Sequence, residues 1–166
     1  MMRTMLWLLL TLAVIAPCGR SWASDDEFAR ATLKGLTRFD VAVIRGGYEY
    51  AGRIDSVALQ TSIELRLREN GIRVGSKTGQ LLMVSFYGFP AGDGGCVSYG
   101  RLVVLQEVSL LRAPAIQTFT ETWSVDRLDG CKCADAGQHV AESARSMMDS
   151  FMNAYLAANP KRSGAK

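Results

Sequence analysis

The chain has 166 residues and a mass of 18.1 kDa, with 19 Lys+Arg, 16 Asp+Glu, one His and four Cys. A 48% apolar and 21% charged composition is that of an ordinary globular domain. It excludes collagen, coiled coil, a disordered chain and a multi-span membrane protein. The formal charge of +3 counts Arg3 and Arg20; without them 17 basic residues face 16 acidic ones. So even a balance lacks the concentrated basic surface that a nucleic-acid binder needs.

Residues 1–23 read as a cleaved secretory signal. Arg3 is the positive start, Leu6 to Ala16 an apolar stretch too short for a comfortable permanent span, and Ser21-Trp22-Ala23 a cleavage site with small residues. Cleavage after Ala23 leaves an acidic start, Ser24-Asp25-Asp26-Glu27. An uncleaved anchor is the plainer alternative. A lipoprotein reading would use Cys18, but Pro17 stands where a small residue is required. The expectation is therefore an exported protein, periplasmic or secreted, with no permanent membrane span after cleavage.

Residues 24–160 carry no repeat or linker and are expected to form a single α+β domain, followed by a disordered tail at 161–166. Asp25 to Leu36 is a short leading helix with Phe28, Ala31 and Leu33 as its apolar residues. Phe39 to Ile44 is a buried strand stopped by Gly46-Gly47. Arg53 to Asn70 is a helix ended by Asn70-Gly71. Ile72 to Gly75, Gly79 to Gly88, Ser98 to Leu111 and Ile116 to Asp126 are strands, the last two joined around Pro114. Gly137 to Ala158 is a helix closed by Asn159-Pro160, because a residue before proline avoids helical geometry. The order β-α-β-β-β-β-α predicts a largely antiparallel sheet of about five strands with helices on one face.

Periodicity sets the packing faces. Val140, Ala144, Met147, Met148, Phe151 and Tyr155 form one apolar stripe of the last helix, opposite Glu142, Ser146, Asp149 and Asn153. At this spacing the methionines are core residues rather than a metal site. In the final strand Phe119, Trp123 and Val125 fall on one face, with Thr118, Thr120, Thr122 and Ser124 on the other. The first long helix has two apolar stripes. Ile54, Val57, Ala58, Thr61 and Leu65 are expected to face the sheet, and Leu59, Ile63 and Leu67 lie nearly opposite. That second stripe is covered by the chain's own leading segment or is an interaction face for a partner.

Two stretches carry a family resemblance: Ser62-Ile63-Glu64-Leu65-Arg66-Leu67-Arg68-Glu69-Asn70-Gly71-Ile72 and Ser150-Phe151-Met152-Asn153-Ala154-Tyr155-Leu156-Ala157-Ala158-Asn159-Pro160. With them the chain resembles a group of small exported bacterial proteins of unassigned function, over most of residues 36–160. The order of elements also resembles the α/β units of envelope assembly proteins, such as the amino-terminal domain of the Tol-system periplasmic protein and the periplasmic domain of the curli secretion channel. The resemblance implies export and an α/β build; it implies no activity. Cysteine pairs are not part of the group's pattern.

Cys96, Cys131 and Cys133 remain after cleavage. A meander of the last three strands brings the segments holding them to one end of the sheet. Cys96 is then a disulfide partner for Cys131 or Cys133, and an oxidising compartment preserves the bond. Closing a loop of roughly 35 residues stabilises by about 3–4 kcal/mol. A bond within Cys131-Lys132-Cys133 is strained. The alternative is a metal site of Cys96, Cys131, Cys133 and His139, with ligand spacing tighter than zinc sites use. Asp93, Asp126, Asp129 and Asp135 fall at the same end, where acidic loop residues are ordinarily just solvated. His139 is the only histidine and no nucleophile–base set, Walker loop or dinucleotide fingerprint is present. The expectation is a non-catalytic envelope protein without a cofactor. It acts on an envelope partner or on a second copy of itself, with small-ligand or metal binding at the cysteine end as the rival.

Overall fold

The computed structural model describes residues 25–47 and 52–160; the signal segment, Cys18 and the 161–166 tail lie outside them. A short helix α1 (Glu27–Ala31) precedes β1 (Arg38–Gly46), α2 (Ser56–Glu69), β2 (Arg73–Val74), β3 (Gln80–Pro90), β4 (Gly95–Leu110) and β5 (Ala113–Lys132). A 3₁₀ turn at Cys133–Asp135 then leads into α3 (Ala136–Ala158). The strands form one five-stranded sheet in the order β2-β1-β3-β4-β5. Expectation and structure agree on the α+β class and on the sequence of elements. The pairing differs in part: β3, β4 and β5 are an antiparallel meander, but β1 runs parallel to both β2 and β3. The cause is the crossover: a strand that reaches its neighbour through a helix returns in the same direction. Among the described residues no helix is long and apolar enough to cross a membrane.

Local sequence explains how α2 begins and ends. Asp55 caps it, its carboxylate accepting from the amides of Val57 and Ala58 at 3.1 and 3.0 Å. At the other end Gly71 has φ 78°, the Ile72 amide donates to the Leu67 carbonyl at 3.0 Å and the Gly71 amide to Arg68 at 2.9 Å. This is a Schellman close, and it delivers Ile72 into the core.

The helices cover one face of the sheet. Phe39 of β1, Leu82, Val84 and Phe86 of β3, Leu102 and Val104 of β4, and Trp123 and Val125 of β5 are buried there. The expected stripe of α3 is buried as a whole: Val140, Ala144, Met147, Met148, Phe151 and Tyr155. Phe151 is its centre, with ring centroids 5.7 Å from Phe39, 5.5 Å from Trp123 and 6.0 Å from Tyr155. Gly100 belongs to this packing too, since a Cβ there would stand 2.7 Å from the Phe86 ring.

The two faces of α2 are the reverse of the expectation. Leu59, Ile63 and Leu67 are its buried residues, whereas Val57 is 75% and Leu65 54% exposed. Ile54 is buried, but it precedes the Asp55 cap and so is no part of the helical stripe. Without it the competing face offers Val57, Ala58, Thr61 and Leu65, a weaker set than three large aliphatics, each worth about 1.5–3 kcal/mol on burial.

The closing helix fastens the leading segment. The Tyr155 hydroxyl donates to the Leu36 carbonyl at 2.6 Å. Asn159 donates to the Leu33 carbonyl at 2.9 Å and accepts from the Gly35 amide at 2.7 Å. Leu33 is fully buried, while Phe28, another apolar residue of the leading segment, is exposed. Asp25 accepts from Arg30 at 2.7 and 2.8 Å and from the Trp123 indole at 2.9 Å. Chiefly through Arg30, these bonds outweigh burial and hold its carboxyl below the usual range.

Replacing Phe151 by Ala is expected to lower unfolding free energy by about 3–5 kcal/mol, because the cavity opens among three other rings. Phe28→Ala is expected to change it by less than about 0.5 kcal/mol. Urea titration followed by circular dichroism reads both.

Candidate functional site

The β4–β5 ladder runs unbroken from Gly95↔Lys132 to Val104↔Trp123, then shifts so that Leu105 faces Glu121 and Thr122 is the extra residue. A bulge of this kind reverses which face the following side chains occupy. Trp123 therefore points into the core while Phe119, expected beside it, stands on the other side of the strand and is 58% exposed. The bulge is tied down where it forms, with the Thr122 hydroxyl accepting from Gln106 at 2.7 Å and donating to the Val104 carbonyl at 3.3 Å. The Thr32 hydroxyl reaches the Thr122 carbonyl at 3.2 Å.

Beyond the bulge the two strands leave the rest of the sheet as a hairpin arm. Residues 115–121 are all exposed, as is the turn. Leu111 at its tip is 100% accessible and Ile116 on its shaft is also exposed. Among the described residues β5 is an edge strand, so one side of this arm has no strand beside it.

The sheet face away from the helices has a polar centre and an apolar end. Arg101 donates both of its hydrogen bonds to Glu121, at 2.7 and 2.8 Å, and its Nε lies 3.2 Å from Asp126. The Tyr99 hydroxyl donates to Asp126 at 2.9 Å, and burial together with that bond pushes the phenol pKa up. Toward the hairpin that joins β3 to β4, Tyr87 opposes Tyr99, which opposes Leu128, and Phe89 opposes Val97. Tyr87, Phe89, Val97 and Leu128 are exposed. The sequence carried a sign of this surface in the odd-numbered apolar residues of β3 and β4, which a one-faced strand would not need.

At the same end the expected cysteine cluster assembles. Cys96 is bonded to Cys133, with Cα atoms 5.1 Å apart, and Cys131 keeps a free thiol. Cys133 lies between the last strand and the last helix, as expected, whereas Cys96 and Cys131, expected in loops, are in strands. Cys96 is inside β4, Cys131 inside β5 directly opposite Cys96, and Cys133 opens the 3₁₀ turn. Burial, with Asp135 and Asp129 adding to it, pushes the Cys131 thiol pKa up. The four-ligand alternative is not assembled, because two of its thiolates are consumed in each other. His139 Nε2 sits 3.8 Å from Asp129 instead. The proposed interaction face of Leu59, Ile63 and Leu67 is likewise withdrawn, being inside the core.

A groove of about 480 Å³ lies between α2 and α3. Small side chains at Ala58, Ser62 and Ala141 open it, and Leu59, Ile63, Val140 and Met148 line it. Arg53, Arg66 and Arg145 also line it, together with Asp55 and Glu69. Arg66 is already paired with Asp149 at 2.6 Å.

No family model matches the sequence, and no curated protein matches it. Among solved structures a PelC dodecamer from Paraburkholderia phytofirmans is similar at a TM-score of 0.42 and 12% identity, over 74% of this chain and 89% of that one.

Substituting Cys96 by Ser is expected to lower stability by about 3–4 kcal/mol, the closure entropy of a loop of this length. Reductant should shift the wild-type urea midpoint by a similar amount and leave that of the variant where it is.

Proposed function

We propose that the chain is an exported, non-catalytic envelope protein that works by protein–protein contact, and that the β4–β5 arm is the contacting element. Export is supported by the signal pattern of residues 1–23, by the resemblance to small exported proteins, and by a disulfide that a reducing cytosol would not maintain. The contact reading rests on one observation: a two-stranded ribbon extends past the core, exposing Leu111, Ile116 and Phe119 along a free strand edge. An isolated two-stranded hairpin is marginal in water. Free edges are ordinarily shielded by charge, proline or shortness. Here the opposite edge, β2, is two residues long, whereas β5 runs for twenty with no charged residue from Ala113 to Thr120, and its one proline, Pro114, stands beside the turn and leaves the edge from Ala115 onward without that shield. Such an edge suits a partner that adds a strand, either a second copy or another envelope protein.

The test is site-specific photo-crosslinking in intact cells from a probe at Phe119, with a probe at Glu142 on the outer face of α3 as control. The expected result is a discrete adduct from the arm alone, lost when Ile116→Asp is added. The mass of the purified chain shows whether the adduct is a second copy. A monomer whose arm probe gives no adduct beyond the control overturns the reading.

The groove between α2 and α3 favours a second reading, in which a small amphipathic anion is bound there. This relocates the ligand site expected at the cysteine end. Medium-chain fatty acids should then raise the melting temperature in a concentration-dependent manner, and Arg145→Glu should abolish the rise.

A further inference from the structure

Three sulfurs share one side of one end of the sheet. Cys96 belongs to the buried core, and Cys131 and Cys133 pack partly buried against that same core. Cys131 is the rung partner of Cys96. Directly opposed residues of an antiparallel pair have Cα atoms about 4.5–5.5 Å apart. That separation falls within the about 4.4–6.8 Å that disulfides span. Cys133, the present partner, has its Cα at 5.1 Å. Cys96 thus has two partners at bonding distance, and a free thiol is held beside an existing disulfide.

We propose that Cys96, Cys131 and Cys133 form an internal exchange site in which the disulfide migrates between Cys96–Cys133 and Cys96–Cys131. The Cys131 thiolate attacks Sγ of Cys96, the bond to Cys133 breaks as the new one forms, and Cys133 leaves as a thiolate. The proton that Cys131 gives to solvent is taken back from solvent by Cys133. One disulfide and one thiol enter and leave the step, so no oxidant or reductant is consumed. Loop closure does not choose between the two states, because the closed segments differ by only two residues. The difference lies in the joint. Cys131 is already held by the ladder, whereas Cys133 begins the 3₁₀ turn that feeds α3. Migration to Cys131 therefore releases the start of α3, including Gly137 at one end of the α2–α3 groove. A Cβ at Gly137 would lie 2.7 Å from the Arg53 carbonyl, so that start is packed directly against the segment leading into α2.

Rapid alkylation of the native oxidised protein, followed by non-reducing peptide mapping, reads the position of the bond. The expected result is label on Cys131 in the major species, and a minor species with label on Cys133 and a Cys96–Cys131 linked peptide. Two variants separate this from a fixed pairing: refolded in a glutathione buffer, Cys133→Ser should form Cys96–Cys131 and Cys131→Ser should form Cys96–Cys133. Each would leave no titratable thiol among its two remaining sheet-end cysteines. Hydrogen exchange over residues 136–140 should be faster in Cys133→Ser than in Cys131→Ser. Label confined to Cys131 in the wild type overturns migration. So do two persistent thiols in a Cys133→Ser protein whose circular dichroism matches the wild type.

Discussion

The ladder between β4 and β5 is the constraint on which the other features depend. Its register places Cys96 opposite Cys131 at one end and Leu102 opposite Val125 in the middle, then absorbs Thr122 as an extra residue. Moving the pairing by a single residue would turn Trp123 outward and remove a ring from the Phe151 cluster. Burial of Trp123 against Phe151 and its indole bond to Asp25 hold that register from the core side. The Cys96–Cys133 bond holds it from the far end. Between these fixed points β3 and β4 carry apolar residues on both faces, one packed under helices and one left open.

Most elements were legible because their signals are local. The Gly71 close of α2, the stripe of α3 and the Asn159-Pro160 stop involve residues a turn or less apart, and each lies within a few residues of its expected place. The parallel pairing of β1 left only a faint sign in the chain, the four-residue apolar run Val41 to Ile44 that follows Asp40. The alternation in β5 is that of an antiparallel strand and describes only the meander β3–β4–β5. The two stripes of α2 are distinct in the sequence, but which one faces the sheet is not: Ile54 adds weight to the exposed one while standing outside the helix, before the Asp55 cap.

The candidate sites were less legible because they depend on register and on reach. A bulge has no sequence signature as clear as a cap, so Phe119 and Trp123, four residues apart, read as neighbours on one face when the inserted Thr122 puts them on opposite ones. The hairpin around Pro114 was expected, but the far end of β5 was not. A strand expected to stop at Asp126 runs on to Lys132, since cross-strand partners rather than intrinsic preference carry its final residues. For the cysteines the spacing offered Cys131 and Cys133 equally, because loops of 35 and 37 residues close at nearly the same entropic cost. The choice is made by the bend after Lys132, where the chain leaves the ladder and the Cys133 amide finds the Gly94 carbonyl at 2.9 Å.

One ladder therefore has two ends of opposite character. At the covalent end the backbone is pinned by a disulfide, a hairpin and the start of a helix, and local opening there is costly unless the bond itself moves. At the arm no helix among the described residues lies over the strands, so the free energy of opening is set by a few cross-strand pairs and is low by comparison. A ribbon of that kind gains more from an added strand than a strand already buried could, since association supplies both hydrogen bonds and the missing cover. The covalent end limits how far such an event can propagate. With the register fixed at Cys96 and at Trp123, ordering the arm cannot slide β5 along β4. A partner at the arm then acts on the arm's own shape, whereas the groove between α2 and α3 responds to the sulfur pairing that anchors the start of α3.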